Sequence, residues 1–91
     1  MQTYVYHEDP GHGWLEVPTA QVRALGVKVT TYSYQSGDGL TMYLEEDLDM
    51  SRFLHAMDAA GQAYEIKPRY HHGSAFVRNL NAPRILGGKL I

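Results

Sequence analysis

Cysteine is absent from the 91-residue chain. That excludes disulfides and any thiolate metal site, and it fits a reducing compartment. Long apolar runs are absent too. None approaches the ~20 residues that a membrane-spanning helix needs, and MQTYVYHED lacks the apolar core of a signal peptide. The expectation is a soluble, intracellular protein with no membrane partner. Catalytic signatures are also missing: there is no G-x-S-x-G, no phosphate loop and no carboxylate pair with an obvious acid–base partner. The chain is therefore read as a non-enzyme, with no catalytic residue, metal or cofactor assigned. A chain this short forms one domain and buries only ~60–65% of its unfolded surface, which leaves no room for a deep cleft between lobes.

Acidic residues are missing from the last part of the chain. All ten lie within residues 1–66, against Arg23, Lys28 and Arg52, for a net −7. Residues 67–91 carry Lys67, Arg69, Arg78, Arg84 and Lys89 with no acid, for +5. An acidic body attracts basic protein surfaces rather than nucleic acid. The basic tail either touches phosphate or folds back on the body.

What is present reads as alternating strands and two helices. TYVYH (3–7) and GWLEV (13–17) have a strand period, with turn residues between them. Pro18 can open a short helix carrying Val22 and Leu25, ended by Gly26. VKVTTYSYQ (27–35) is β-branched and aromatic. LTMYLE (40–45) pairs back across S-G-D-G, with Leu40, Met42 and Leu44 facing the core. Asp49 or Ser51 can cap a helix whose Met50, Phe53, Leu54, Met57 and Ala60 form one stripe, ended by Gly61. AYEIK (63–67) is a further strand. The predicted fold is a single small α+β domain, β-β-α-β-β-α-β, with a mixed or antiparallel sheet and a helix packed on one face. Residues 1–67 make the compact domain. Residues 68–91 form a basic C-terminal segment without a steady period, compatible with partial disorder. An unpaired strand edge leaves homodimerisation open.

The stretch Asp9-Pro10-Gly11-His12-Gly13 has two readings. The same pentapeptide occurs in a family of zinc-dependent cell-wall amidases, where the histidine binds metal. A zinc site here would draw on His7, His12 and Glu16. The turn reading accounts for every residue: Pro10 fixes φ, Gly11 and Gly13 supply positive φ, and Asp9 bonds the turn backbone. The turn is the expectation. His71 and His72 read as a polar loop, since adjacent residues on a strand point opposite ways.

Four carboxylates, Glu45, Glu46, Asp47 and Asp49, fall within five positions just before the second helix. One or two suffice to complement a helix N-terminus. The remainder suit a basic partner better than a Ca²⁺ loop, whose spacing and glycine are lacking. Of the seven tyrosines, Tyr4, Tyr6, Tyr32, Tyr34 and Tyr43 all fall on predicted strands. Tyrosine on a sheet stacks bases where Lys and Arg flank it, and here only Lys28 does. A protein-binding face is the better fit. The candidate partner-binding residues are Glu45, Glu46, Asp47, Asp49, Tyr32, Tyr34 and Tyr43.

YHEDPGHGWLEVP, LGV and TYSYQSGDGLTMYLEEDLDMSRFLHA together resemble a group of small proteins encoded by bacteriophages, prophages and plasmids of proteobacteria. Their pattern is Y-H-D-P-G-H-G-W-L, then S-Y-S-Y, then V-Y-L-E-E-D-x-D and a following Phe. The likeness spans about residues 4–60. This chain departs with Glu8 before Asp9, with Leu48 between the acids, and with the tail NLNAPRILGGKLI in place of a Ser/Tyr/Arg-rich end. The resemblance implies a mobile-element setting in a bacterial cytoplasm, not a mechanism. Small acidic proteins of such elements often bind host proteins, and anti-CRISPR proteins are one such class. The expected partner is a host protein or CRISPR ribonucleoprotein complex with a basic surface. Direct nucleic-acid binding is expected only through the tail, as an accessory protein would bind.

Overall fold

Alternation along two strands builds the centre of the sheet. Gln2–Glu8 (β1) and Gly13–Pro18 (β2) form an antiparallel hairpin, followed by the helix Thr19–Ala24 (α1). Tyr34–Gln35 (β3) and Thr41–Glu45 (β4) make a second antiparallel pair, and the helix Asp49–Ala59 (α2) leads to Tyr64–Tyr70 (β5). The structure, a computed structural model, describes residues 1–87 and 89–91. Its main sheet has the order β3-β4-β2-β1-β5, with β1 and β5 parallel and the other pairs antiparallel. This is the α+β fold and mixed sheet that the sequence predicts.

Tyr4, Leu15, Val17, Met42 and Leu44 project from one face and meet Val22 of α1 and Phe53 and Met57 of α2. Phe53 and Met57 are fully buried, and burial of each such side chain contributes about 1.5–3 kcal/mol. Leu40 departs from expectation: it lies outside β4 and is exposed. Gly26 and Gly61, which end α1 and α2, take the left-handed conformation expected of them.

Two differences from the sequence reading shape the functional site. Residues 27–33 do not form a strand; only Tyr34 and Gln35 pair with β4. Asp49 is the physical reason. Its Oδ2 accepts hydrogen bonds from Thr30 N–H (2.8 Å), Thr30 Oγ1 (2.9 Å) and Ser33 Oγ (2.5 Å), which wraps the segment around the start of α2.

The boundary at residue 67 also falls in the wrong place, because it cuts β5. After β5 the chain crosses to the other face of the sheet, where a 3₁₀ turn, Phe76–Asn79, covers Trp14 and Tyr43. Ala75 and Val77 are buried there. The chain then bonds the β3 edge through Gln35 N–H to the Asn81 carbonyl (2.8 Å) and Arg84 N–H to Gln35 Oε1 (2.9 Å). Ile85–Leu86 (β6) pairs with Lys89–Leu90 (β7), and Ile85 and Leu90 pack on the main core. The β3 edge is thus covered, while β5 is exposed along almost its whole length. Pro68, Lys67 and Arg69 on that strand are residues that discourage edge-to-edge pairing.

Candidate functional site: an acidic and aromatic cleft

The D-P-G-H-G segment is a turn organised by one carboxylate. Asp9 Oδ1 accepts from Gly11 N–H and His12 N–H, both at 3.0 Å. Asp9 also receives Ala75 N–H (2.9 Å) and both arms of the Arg78 guanidinium, Nε at 2.7 Å and Nη2 at 2.9 Å. The Arg78 fork and the Ala75 amide hold this buried carboxyl well below the usual carboxylate range. The glycines serve a purpose other than the expected one, since neither Gly11 nor Gly13 has positive φ. They are small because space is short: a Cβ on Gly13 would overlap the Tyr6 hydroxyl, and one on Gly11 would lie 2.8 Å from Arg78 Nη2.

His7 and Glu16 meet, but His12 does not join them. His7 is buried, with Nε2 2.7 Å from Glu16 Oε1 and Nδ1 3.1 Å from His71 Nε2. His71 is therefore no free loop residue. Glu16, His7 and His71 form a hydrogen-bonded chain that ties the C-terminal segment to β1 and β2. His12 points instead to the acidic cluster, with Nδ1 3.2 Å from Glu46 and Nε2 3.9 Å from Glu45.

The cleft lies where the turn, the end of β4 and the 3₁₀ turn converge. It holds about 480 Å³, between the aromatic side chains Trp14, Tyr32 and Tyr34 and the polar groups of His12, Glu45, Asp47 and Arg78. Trp14 is its buried wall. The Arg78 guanidinium lies 5.1 Å from the Trp14 ring centroid, within cation–π range, and Tyr34 meets Trp14 edge-on at 6.1 Å. The Trp14 indole N–H has no partner among the described residues.

The seven residues expected to bind a partner divide between surface and interior. Tyr32 and Asp47 are exposed, and Tyr34 and Glu46 are partly buried; Tyr32, Tyr34 and Asp47 line the cleft. Glu46 stands beside it, accepting from the Tyr6 hydroxyl at 2.8 Å. Three residues are misplaced by the sequence reading. Tyr43 is buried under Phe76, 5.5 Å away edge-on, and burial pushes its hydroxyl pKa up. Asp49 is fully buried against Thr30 and Ser33. Glu45 is 3% exposed and caps α2, accepting from the N–H groups of Asp47 (2.8 Å), Leu48 (2.6 Å) and Asp49 (2.8 Å). Burial pushes the Glu45 pKa up, and these three amides more than offset it, leaving a net lowering. Glu45 thus does the capping expected of Asp49 or Ser51, and neither it nor Asp49 offers a free contact surface.

His12, Glu45 and Asp47 each bring one ligand atom within 4.8 Å of the others, the one such group of three among the described residues. The sequence reading missed His12, Trp14 and Arg78 as members of the site. Trp14 was accessible from the β2 alternation, which sets it on the face opposite Leu15. Arg78 had no local signal, because its partner Asp9 lies 69 residues away. No helix among the described residues is long and apolar enough to cross a membrane. Comparison with protein-family models, with curated proteins and with solved structures finds no match to this chain.

Proposed function

We propose that this chain is a small non-enzymatic binding protein of a phage or other mobile element, which seats a basic surface of a host nucleic-acid-handling complex in the cleft and so inhibits it. A CRISPR surveillance complex is the proposed target. The cleft carries the reading: three segments far apart in sequence, around residues 12–14, 32–34 and 45–48, converge there to set aromatic faces beside carboxylates. That combination suits Lys- and Arg-rich protein surfaces, which nucleic acid would otherwise occupy. The resemblance of residues 4–60 to mobile-element proteins supports the setting. The alternative, nucleic-acid binding through the basic tail, has less support. Arg78 is forked by Asp9, and Arg84 donates to the Gly37 carbonyl at 3.0 Å.

The test is capture of the complex from a lysate with an active CRISPR system, washed at low and moderate salt. The wild-type protein should retain one basic, nucleic-acid-binding complex in a salt-sensitive manner. Asp47→Lys with Tyr32→Ala should lose it, because both side chains are exposed and neither makes a side-chain hydrogen bond among the described residues. Undiminished capture by the double variant would overturn the assignment. Capture of nucleic acid alone, lost when the exposed Lys67, Arg69 and Lys89 are all replaced by Gln, would replace it with the tail reading.

A further inference from the structure

The cleft already contains one arginine, and the manner of its binding indicates what the rest of the cleft can take. Arg78 is held in two ways at once: its guanidinium carbon lies over the Trp14 ring, 5.1 Å from the centroid, and its fork closes on Asp9. On the open side the same two elements recur. Tyr32 and Tyr34 supply aromatic faces, Tyr32 being 75% exposed. Asp47 supplies an exposed carboxylate that accepts no hydrogen bond among the described residues. Behind it Glu45 adds a fixed negative charge, immobilised by three backbone amides. Trp14, 1% exposed, forms the buried wall beneath these groups.

We propose that the open half of the cleft is an arginine subsite: a guanidinium on the partner's surface stacks on Tyr32 and Tyr34 and forks onto Asp47, repeating the pairing of Arg78 with Trp14 and Asp9. This rests on the reading of the cleft as a docking site for a basic partner, and it specifies the partner's anchoring side chain. Arginine suits the site better than lysine for two physical reasons. Its planar, weakly hydrated guanidinium stacks on aromatic rings, and its donors match a carboxylate two at a time. A lysine ammonium brings the same charge with neither property.

The test uses two fluorescein-labelled peptides of equal length and charge, one alternating Arg with Gly and the other Lys with Gly, with binding read by fluorescence anisotropy against the full chain. The arginine peptide should bind about tenfold more tightly than the lysine peptide. Tyr32→Leu and Asp47→Asn should each remove most of that preference. Asp58→Asn, on α2 and outside the cleft, should leave it intact. Equal binding of the two peptides, with both lost in Asp47→Asn, would sink the arginine subsite and leave the basic-partner reading standing. No binding of either peptide by a protein that still captures the host complex would also sink the subsite alone. No peptide binding and no capture would remove both. Stoichiometric zinc uptake at His12, Glu45 and Asp47 that displaces the arginine peptide and is needed for capture would overturn the subsite in favour of a metal centre.

Discussion

Single atoms decide much of this molecule. At Gly13 the constraint is contact rather than backbone freedom, since the Tyr6 hydroxyl occupies the place a Cβ would need. That hydroxyl cannot simply withdraw, because it donates to Glu46 at 2.8 Å. Gly13→Ala should therefore destabilise the fold by about 1–3 kcal/mol, the range for an overpacked site. A Cβ would also overlap the Tyr6 ring carbon Cζ, so adding Tyr6→Leu, which removes both atoms, should recover part of the loss relative to Gly13→Ala alone. A thermal melt of the four proteins measures the coupling, and strictly additive losses would mean that Tyr6 is not what crowds the site. Gly11→Ala should be milder, because its nearest neighbour is the end of a flexible arginine. The turn itself was legible in D-P-G-H-G; the reason for its second glycine was not, because Tyr6 enters only once the hairpin has closed.

At the level of elements, the strands and helices were legible where period and burial agree. The alternation in β1, β2 and β4 specifies the face that meets the stripe on α2, while the second face of β2 and β4, with Trp14 and Tyr43, is buried by the tail. The 27–35 stretch misled because its β-branched and aromatic residues favour a strand, while Thr30 and Ser33 have a better use as donors to a buried carboxylate. Likewise E-E-D-L-D reads as a surface charge run, although Glu45 is the last residue of β4 and Asp49 the first of α2, so both turn inward. Asp49 joins α2 to the loop that carries Tyr32 and Tyr34. Asp49→Ala should cost about 2–4 kcal/mol, since it leaves three donors without their charged acceptor. It should also change the near-ultraviolet circular dichroism of the tyrosines, and loss of stability without any spectral change would argue that the loop holds its place by other contacts. The same substitution weakens the cleft from a distance, because two of the aromatic walls depend on that loop.

For the whole molecule, the opposite charges of body and tail were visible in composition, and their meeting point was not. The tail folds back onto the second face of the sheet, and the Asp9–Arg78 pair fastens it beside Trp14. This link should govern acid stability. The Asp9 pKa is depressed in the folded state, chiefly by Arg78 and the Ala75 amide, relative to the ~3.9 of an unfolded aspartate. Its contribution is complete above that unfolded value and is lost as pH falls toward the folded one. Glu45 is lowered as well and adds a contribution of the same sign that disappears below the unfolded glutamate value of ~4.3. Denaturant midpoints should stay level from neutral pH to about pH 5 with respect to these two groups, then fall steeply below about pH 4. Asp9→Asn should be less stable at neutral pH and show a shallower acid limb, because the variant has no proton to take up at that position. Trp14 fluorescence provides the local readout: releasing the Arg78 guanidinium from the indole should change the emission of the folded variant at neutral pH. An acid limb as steep as that of the wild type would place the titrating groups elsewhere and reduce Arg78 to a side chain resting on Trp14.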